Sequence, residues 1–126
     1  MKTATFMFYC TQATTDQTYT VPEDCMLVGI DWAASFLSTA DATSGILVIA
    51  TQPLANTYTT GAPGFIGCLR SSNSLTTSGD RCSEANKYQG LMPGIPLSKN
   101  SVIHCYSNVN GAMTTLANIT LFFVVP

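Results

Sequence analysis

The C-terminal run Asn118-Ile-Thr-Leu-Phe-Phe-Val-Val-Pro126 constrains the fold more than any other stretch of the chain. Successive side chains of a strand alternate between its two faces. Read as a strand, the run puts Ile119, Leu121, Phe123 and Val125 on one face and Thr120, Phe122 and Val124 on the other. A strand that is apolar on both faces needs cover on both. With Pro126 as the last residue, that cover is expected from elsewhere in the chain or from another subunit.

Further strands precede it. Thr3–Thr11 alternates, with Phe6, Phe8 and Cys10 against Met7 and Tyr9. Gln17–Val21 is short and β-rich, and Pro22-Glu-Asp24 halts it. Met26–Leu37 is the longest strand candidate, and its Ile30/Trp32 side is the better core face. A turn over Ser38–Gly45 leads to the compact apolar strand Ile46–Thr51, expected to pair antiparallel with it. From Gln52 to Pro96 prolines and glycines loosen the pattern. Extended segments are expected near Thr57–Thr60 and Phe65–Leu69, and a surface loop over Arg70–Gly79. Asp80–Gly90 leaves room for one short helix, with Ser83 as cap, Glu84 in the first turn and Gly90 as its end. Ser101–Ser107 and Ala117–Val125 complete the set, separated by the turn signal Val109-Asn-Gly111 and by Ala112–Thr115, which delays the last strand. Seven or eight strands in one domain, residues 1–126, predict an all-β sandwich, jelly roll or barrel.

Composition narrows the functional classes. The chain is 46% apolar but only 10% charged, against a usual charged share of about 25%. The first figure argues against disorder. The second predicts a surface of hydroxyls and amides with little self-repulsion, suited to contact with other subunits. Lys2, Arg70, Arg81, Lys87 and Lys99 are scattered, so no basic stripe marks a nucleic-acid ligand. Thr3, Thr5 and Tyr9 interrupt the apolar start, which therefore does not read as a signal peptide. No stretch of about 18 apolar residues predicts a membrane span. The chain is expected to be an intact cytosolic product. Its five cysteines cannot all pair with one another. Cys68 and Cys82 bracket a polar loop, and a disulfide there would stabilise by about 3 kcal/mol. The alternative makes most of the cysteines small apolar core residues.

Candidates for chemistry are few. The single histidine, His104, neighbours Cys105, but adjacent strand residues point to opposite faces. No cysteine or histidine spacing predicts a metal site, and no cofactor is expected. Glu23 and Asp24 are turn residues, and Asp31 is expected to face solvent or cap a turn. The sequon Asn118-Ile-Thr120 falls in the expected buried strand. The reading is therefore not an enzyme. Tyr58, Phe65 and Tyr88 form a candidate partner-contact loop, since loop aromatics can anchor a partner or stack on sugars. Alternatively, they pack the loop down onto the sheet.

Three segments resemble a known family. Thr18-Tyr-Thr-Val-Pro-Glu-Asp-Cys-Met-Leu-Val-Gly-Ile30 is similar to tailed-phage virion proteins, in which an early strand ends in Val/Ala-Pro and a strand of the type leu-val-gly-ile follows a turn. Ile95-Pro-Leu-Ser-Lys-Asn-Ser-Val-Ile103 and Ile119-Thr-Leu-Phe-Phe123 look like the last strands of the same small domains. The resemblance covers about half the chain and omits the middle between Cys68 and Cys82. It implies a jelly-roll-like antiparallel sandwich of about eight strands. The implied function is that of a capsid decoration, or cement, protein, made in the host cytoplasm and seated on the outer capsid surface as a homotrimer. Its partner would be the major capsid protein, with the N-terminal strand and the proline-rich middle as contacts. Phe122 and Val124 would then form the candidate subunit interface. Two rivals remain: a phage fibre-head or lectin-like glycan-binding domain, and a secreted disulfide-stabilised β protein.

Overall fold

The computed structural model describes residues 1–11, 16–38, 46–52, 64–70, 81–106 and 113–126. They form eight strands: β1 (Lys2–Thr11), β2 (Asp16–Thr20), β3 (Cys25–Ser38), β4 (Ile46–Ala50), β5 (Phe65–Arg70), β6 (Arg81–Leu97), β7 (Val102–Tyr106) and β8 (Met113–Val124). No helix occurs among the described residues. Two four-stranded sheets result, ordered β1-β8-β3-β6 and β2-β7-β4-β5.

The pairing follows one rule. β1 pairs with β8, β2 with β7, β3 with β6 and β4 with β5, all antiparallel. A chain doubled back at its midpoint into a long ribbon, then rolled up, gives these nested pairs. The β3–β8 and β4–β7 ladders close the roll into two sheets. This is a jelly roll, an eight-stranded double sheet.

The alternating residues of both inner faces meet in one core. Phe8, Leu27, Ile30, Trp32, Phe36, Ile119, Leu121 and Phe123 come from the first sheet, and Leu47, Ile49, Ile103 and Cys105 from the second. Each fully buried large side chain contributes about 1.5–3 kcal/mol. The Tyr19 ring of β2 stacks between Phe6 and Phe123, with centroids 6.3 and 6.0 Å away, and so ties β1, β2 and β8 together.

One β3 residue breaks the alternation. Leu27 pairs with Phe123 and Gly29 with Phe122, so Val28 is an extra residue in the ladder. A bulge of this kind shifts the side-chain phase by one. Cys25 and Leu27 therefore enter the core together with Ile30, Trp32, Ala34 and Phe36.

Three expectations need correction. Residues 81–90 carry no helix: residues 81–97 belong to β6, with Cys82 and Glu84 buried and Ser83 exposed between them. Pro93 and Pro96 are tolerated there because β6 is an edge strand with a single neighbour. Second, β3 and β4 are not a pair. Both sides of β3 are occupied by β6 and β8, so β4 crosses into the other sheet. Third, the last strand begins earlier than expected, at Met113. The expected Thr57–Thr60 segment, the 71–79 loop and the Val109-Asn-Gly111 turn lie outside the described residues.

At one end of the sandwich two turns are bound together. Val21 N donates to Ser101 O and Asn100 N to Val21 O, each at 2.8 Å. Lys99 N donates to Asp24 Oδ1 at 2.8 Å. Asn100 takes the left-handed conformation, φ 72°, which asparagine tolerates better than most residues.

Candidate functional site

The two sheets differ on their outer faces. On β4, Val48 and Ala50 point away from the core yet are buried, with Tyr106 beside them and Phe65 and Cys68 packed against the group. That face carries its own apolar cluster. The outer face of β1-β8-β3-β6 instead leaves Met7, Tyr9, Met26, Tyr88, Leu116 and Val124 exposed, together with Met92 of β6.

Register orders these residues. Met26 lies opposite Val124, and Gly29 opposite Phe122. Thr5, Thr120, Asp31 and Tyr88 form one row across the four strands. Met7 lies opposite Asn118, and Tyr9 opposite Leu116. Apolar residues thus occupy both ends of the face, with a polar band of Thr5, Thr120, Asp31 and Asn118 between them. Thr5 and Thr120 share a hydroxyl hydrogen bond of 3.0 Å within that band. Asp31 carries the one charge among the side chains described on this face.

Phe122 and Val124 therefore point out of the sandwich, while Leu121 and Phe123 are buried in the core. Val124 is 43% exposed against 5% for Phe123. Phe122 is half-buried because the Tyr88 ring meets it edge-on, with centroids 5.8 Å apart. The same ring lies over Gly29, where an added Cβ would sit 2.5 Å from the Tyr88 hydroxyl oxygen. Glycine at 29 is thus the residue that lets Tyr88 lie flat beside Phe122.

The three aromatics expected in one contact loop are not brought together. Tyr88 is on the outer face of β6 and is 62% exposed. Phe65 begins β5 in the other sheet, against Val48 and Ala50. Tyr58 lies outside the described residues. Met7, Tyr9 and Leu116 join the face without having been expected there from the sequence. Their signal is the outward-facing alternation of two strands that pair only in the folded chain.

Cys68 and Cys82 are not joined in a disulfide. Cys68 belongs to the outer cluster of the second sheet, whereas Cys82 is in the core, where its Sγ donates to Glu84 Oε1 at 3.4 Å. The two side chains enter different layers, which favours the alternative of core cysteines for Cys82. Cys25 and Cys105 are buried and form no disulfide either. His104 is half-buried on the face of β7 opposite to Cys105, as the alternation requires. The Lys2 ammonium pairs with Glu23 at the exposed surface. Asn118 is exposed on the outer face, not buried as the position of its sequon suggested.

Burial pushes the Cys25 thiol pKa up, and the neighbouring Glu23 and Asp24 carboxylates add to the shift. Above pH of about 8.5 the unfolded chain then loses this proton before the folded chain does. Stability from this group is complete below that range and falls as pH rises through it. Urea midpoints at pH 7 and pH 9.5 should show a smaller drop for Cys25→Ala than for the unchanged protein. Equal drops would contradict the assignment.

No protein-family model matches the chain, and no curated protein matches it either.

Proposed function

We propose that this chain is a virion structural protein, a capsid decoration protein that binds the outer shell as a homotrimer and stabilises it. The observation that carries the reading is the exposed apolar outer face of β1-β8-β3-β6, on which Phe122 and Val124 sit with Met26 and Tyr88. Jelly rolls serve in viral capsids and in lectins, and the step from fold to role is an analogy. The face adds a physical reason. Four strands about 4.8 Å apart and roughly 11 residues long present on the order of 700 Å², close to the ~800 Å² each partner gives to a standard interface.

In a trimer, the Phe122/Val124 end of the face packs against neighbouring subunits while the rest of the surface meets the shell. The mechanism is mechanical. A trimer seated across a junction between major capsid protein subunits adds buried area there and opposes outward pressure from the packed genome. No chemical step is involved.

A second reading has its own observation. Tyr88 presents an exposed ring in the same row as the Asp31 carboxylate, and a ring beside a hydrogen-bonding group can take a sugar. A fibre-head or lectin-like domain would use that pair. Light scattering and a glycan array separate the two. The decoration reading expects a mass near three chains, reduced to one chain by Phe122→Ser, and no specific glycan. A monomer with specific glycan hits would replace it by the second reading.

A further inference from the structure

The outer face is not the only unfinished part of the first sheet. β1 is an edge strand with β8 as its neighbour. In an antiparallel ladder a residue sends its N–H and C=O to the same side, and alternate residues face opposite sides. Tyr9 N donates to Gln17 Oε1 at 3.1 Å, so the Tyr9 amide points away from β8. By alternation the amide and carbonyl groups of Thr3, Thr5 and Met7 point the same way. The 3.0 Å hydroxyl contact between Thr5 and Thr120 agrees, since side chains come closest at pairs that share no ladder bonds. No strand of the described residues pairs with this side of β1.

Edges left open in this way are templates for another strand, and proteins usually blunt them with proline, charge or short length. The other edges here are blunted. β6 carries Pro93 and Pro96, while β2 and β5 are 5 and 6 residues long. β1 has 10 residues and no proline. Its one charge is Lys2, at its first position and paired with Glu23. No charged residue occurs from Thr3 through Thr15. Apolar side chains flank the edge on both sides, beside Thr3 and Thr5 on the outer one. Met7 and Tyr9 are exposed on the outer side, and Ala4 and Phe6 are only partly buried at the margin of the core.

We propose that the open edge of β1 takes an extended, uncharged polypeptide segment with alternating apolar side chains, added as a further strand along Thr3, Thr5 and Met7. Backbone hydrogen bonds supply the affinity in this mode, and the side chains flanking the edge supply the selectivity. The inference rests on the decoration reading, in which the segment belongs to the shell subunit.

The test uses the full chain, free and bound to shells that lack it, with hydrogen exchange read at single amides. The Thr3, Thr5 and Met7 amides should exchange quickly in the free chain and slowly in the bound one. Thr5→Pro removes one outward N–H while leaving the Ala4 and Phe6 bonds to β8 in place. It should weaken shell binding roughly tenfold, the equivalent of one or two lost hydrogen bonds. Thr5→Val, which keeps the amide, should bind like the unchanged protein. Tight binding with all three amides still fast, or full binding by a folded Thr5→Pro, would overturn the strand addition alone. Should Thr5→Pro fail to fold, the exchange data on the unchanged chain decide the matter. Protection that appears in the free chain as its concentration rises would mean that a second copy occupies the edge, and would overturn the choice of partner. Failure of the unchanged chain to bind any shell would overturn the decoration reading and this inference with it.

Discussion

Phe123→Ser is expected to destabilise the domain by about 4–6 kcal/mol, whereas Phe122→Ser, one residue away, should cost about 1 kcal/mol. Phe123 lies in the core against Tyr19. Truncating a buried phenylalanine costs about 3–5 kcal/mol, and the serine hydroxyl left without water adds about 1 kcal/mol more. Small domains hold only about 5–15 kcal/mol in total, so the loss consumes a large share of the stability of the fold. Phe122 loses mainly its edge contact with Tyr88 and half of its cover. Its substitution should leave the fold intact and act on assembly. Urea denaturation with light scattering on both variants checks the pair. Equal losses of stability would contradict the placement of these two rings on opposite faces.

Gly67→Val is the second effect, expected at about 1–2 kcal/mol. Gly67 sits on β5, and the Gln89 side chain of β6 reaches it from the facing sheet. A Cβ at position 67 would lie 2.8 Å from Gln89 Nε2 and closer still to its Oε1. That amide also donates to Ile66 O at 3.5 Å, so displacing it sacrifices a polar contact between the sheets. Overpacking of this kind typically costs about 1–3 kcal/mol. Removing the obstacle should relieve most of the penalty, so Gly67→Val with Gln89→Ala is expected to recover stability in a double-mutant cycle. Strictly additive losses would mean that Gln89 is not what glycine accommodates. The contrast is Gly29, whose neighbour Tyr88 is exposed and can swing into solvent.

Alternation made much of this structure legible from residues alone. The two faces of 119–124 and the core side of Ile30 and Trp32 follow from a period of two, because the core imposes that period directly on the sequence. What failed was whatever depends on a neighbouring strand. Val28 looks like any other β residue, and only the ladder to β8 reveals it as the extra one. Ser83, Glu84 and Gly90 satisfy the local rules for a helix, yet pairing with β3 overrides local preference. The turn-like composition after Ser38 suggests a hairpin, but the neighbours that fill both sides of β3 come from the far end of the chain. For the same reason Phe65 and Tyr88, both in the loosely patterned middle, end on different sheets. The exposed apolar face was half visible. Phe122 and Val124 stood out within one strand, whereas Met7, Tyr9 and Leu116 join them only through the β1–β8 register.

In the proposed role, the exposed face and edge of the first sheet serve a viral shell. Co-sedimentation of the purified chain with shells lacking it, followed by their thermal disassembly, tests this most directly. A decoration protein should bind saturably in multiples of three chains, and loaded shells should come apart at a higher temperature. Chains that stay in the supernatant, or bound chains that leave the disassembly temperature unchanged, would contradict it.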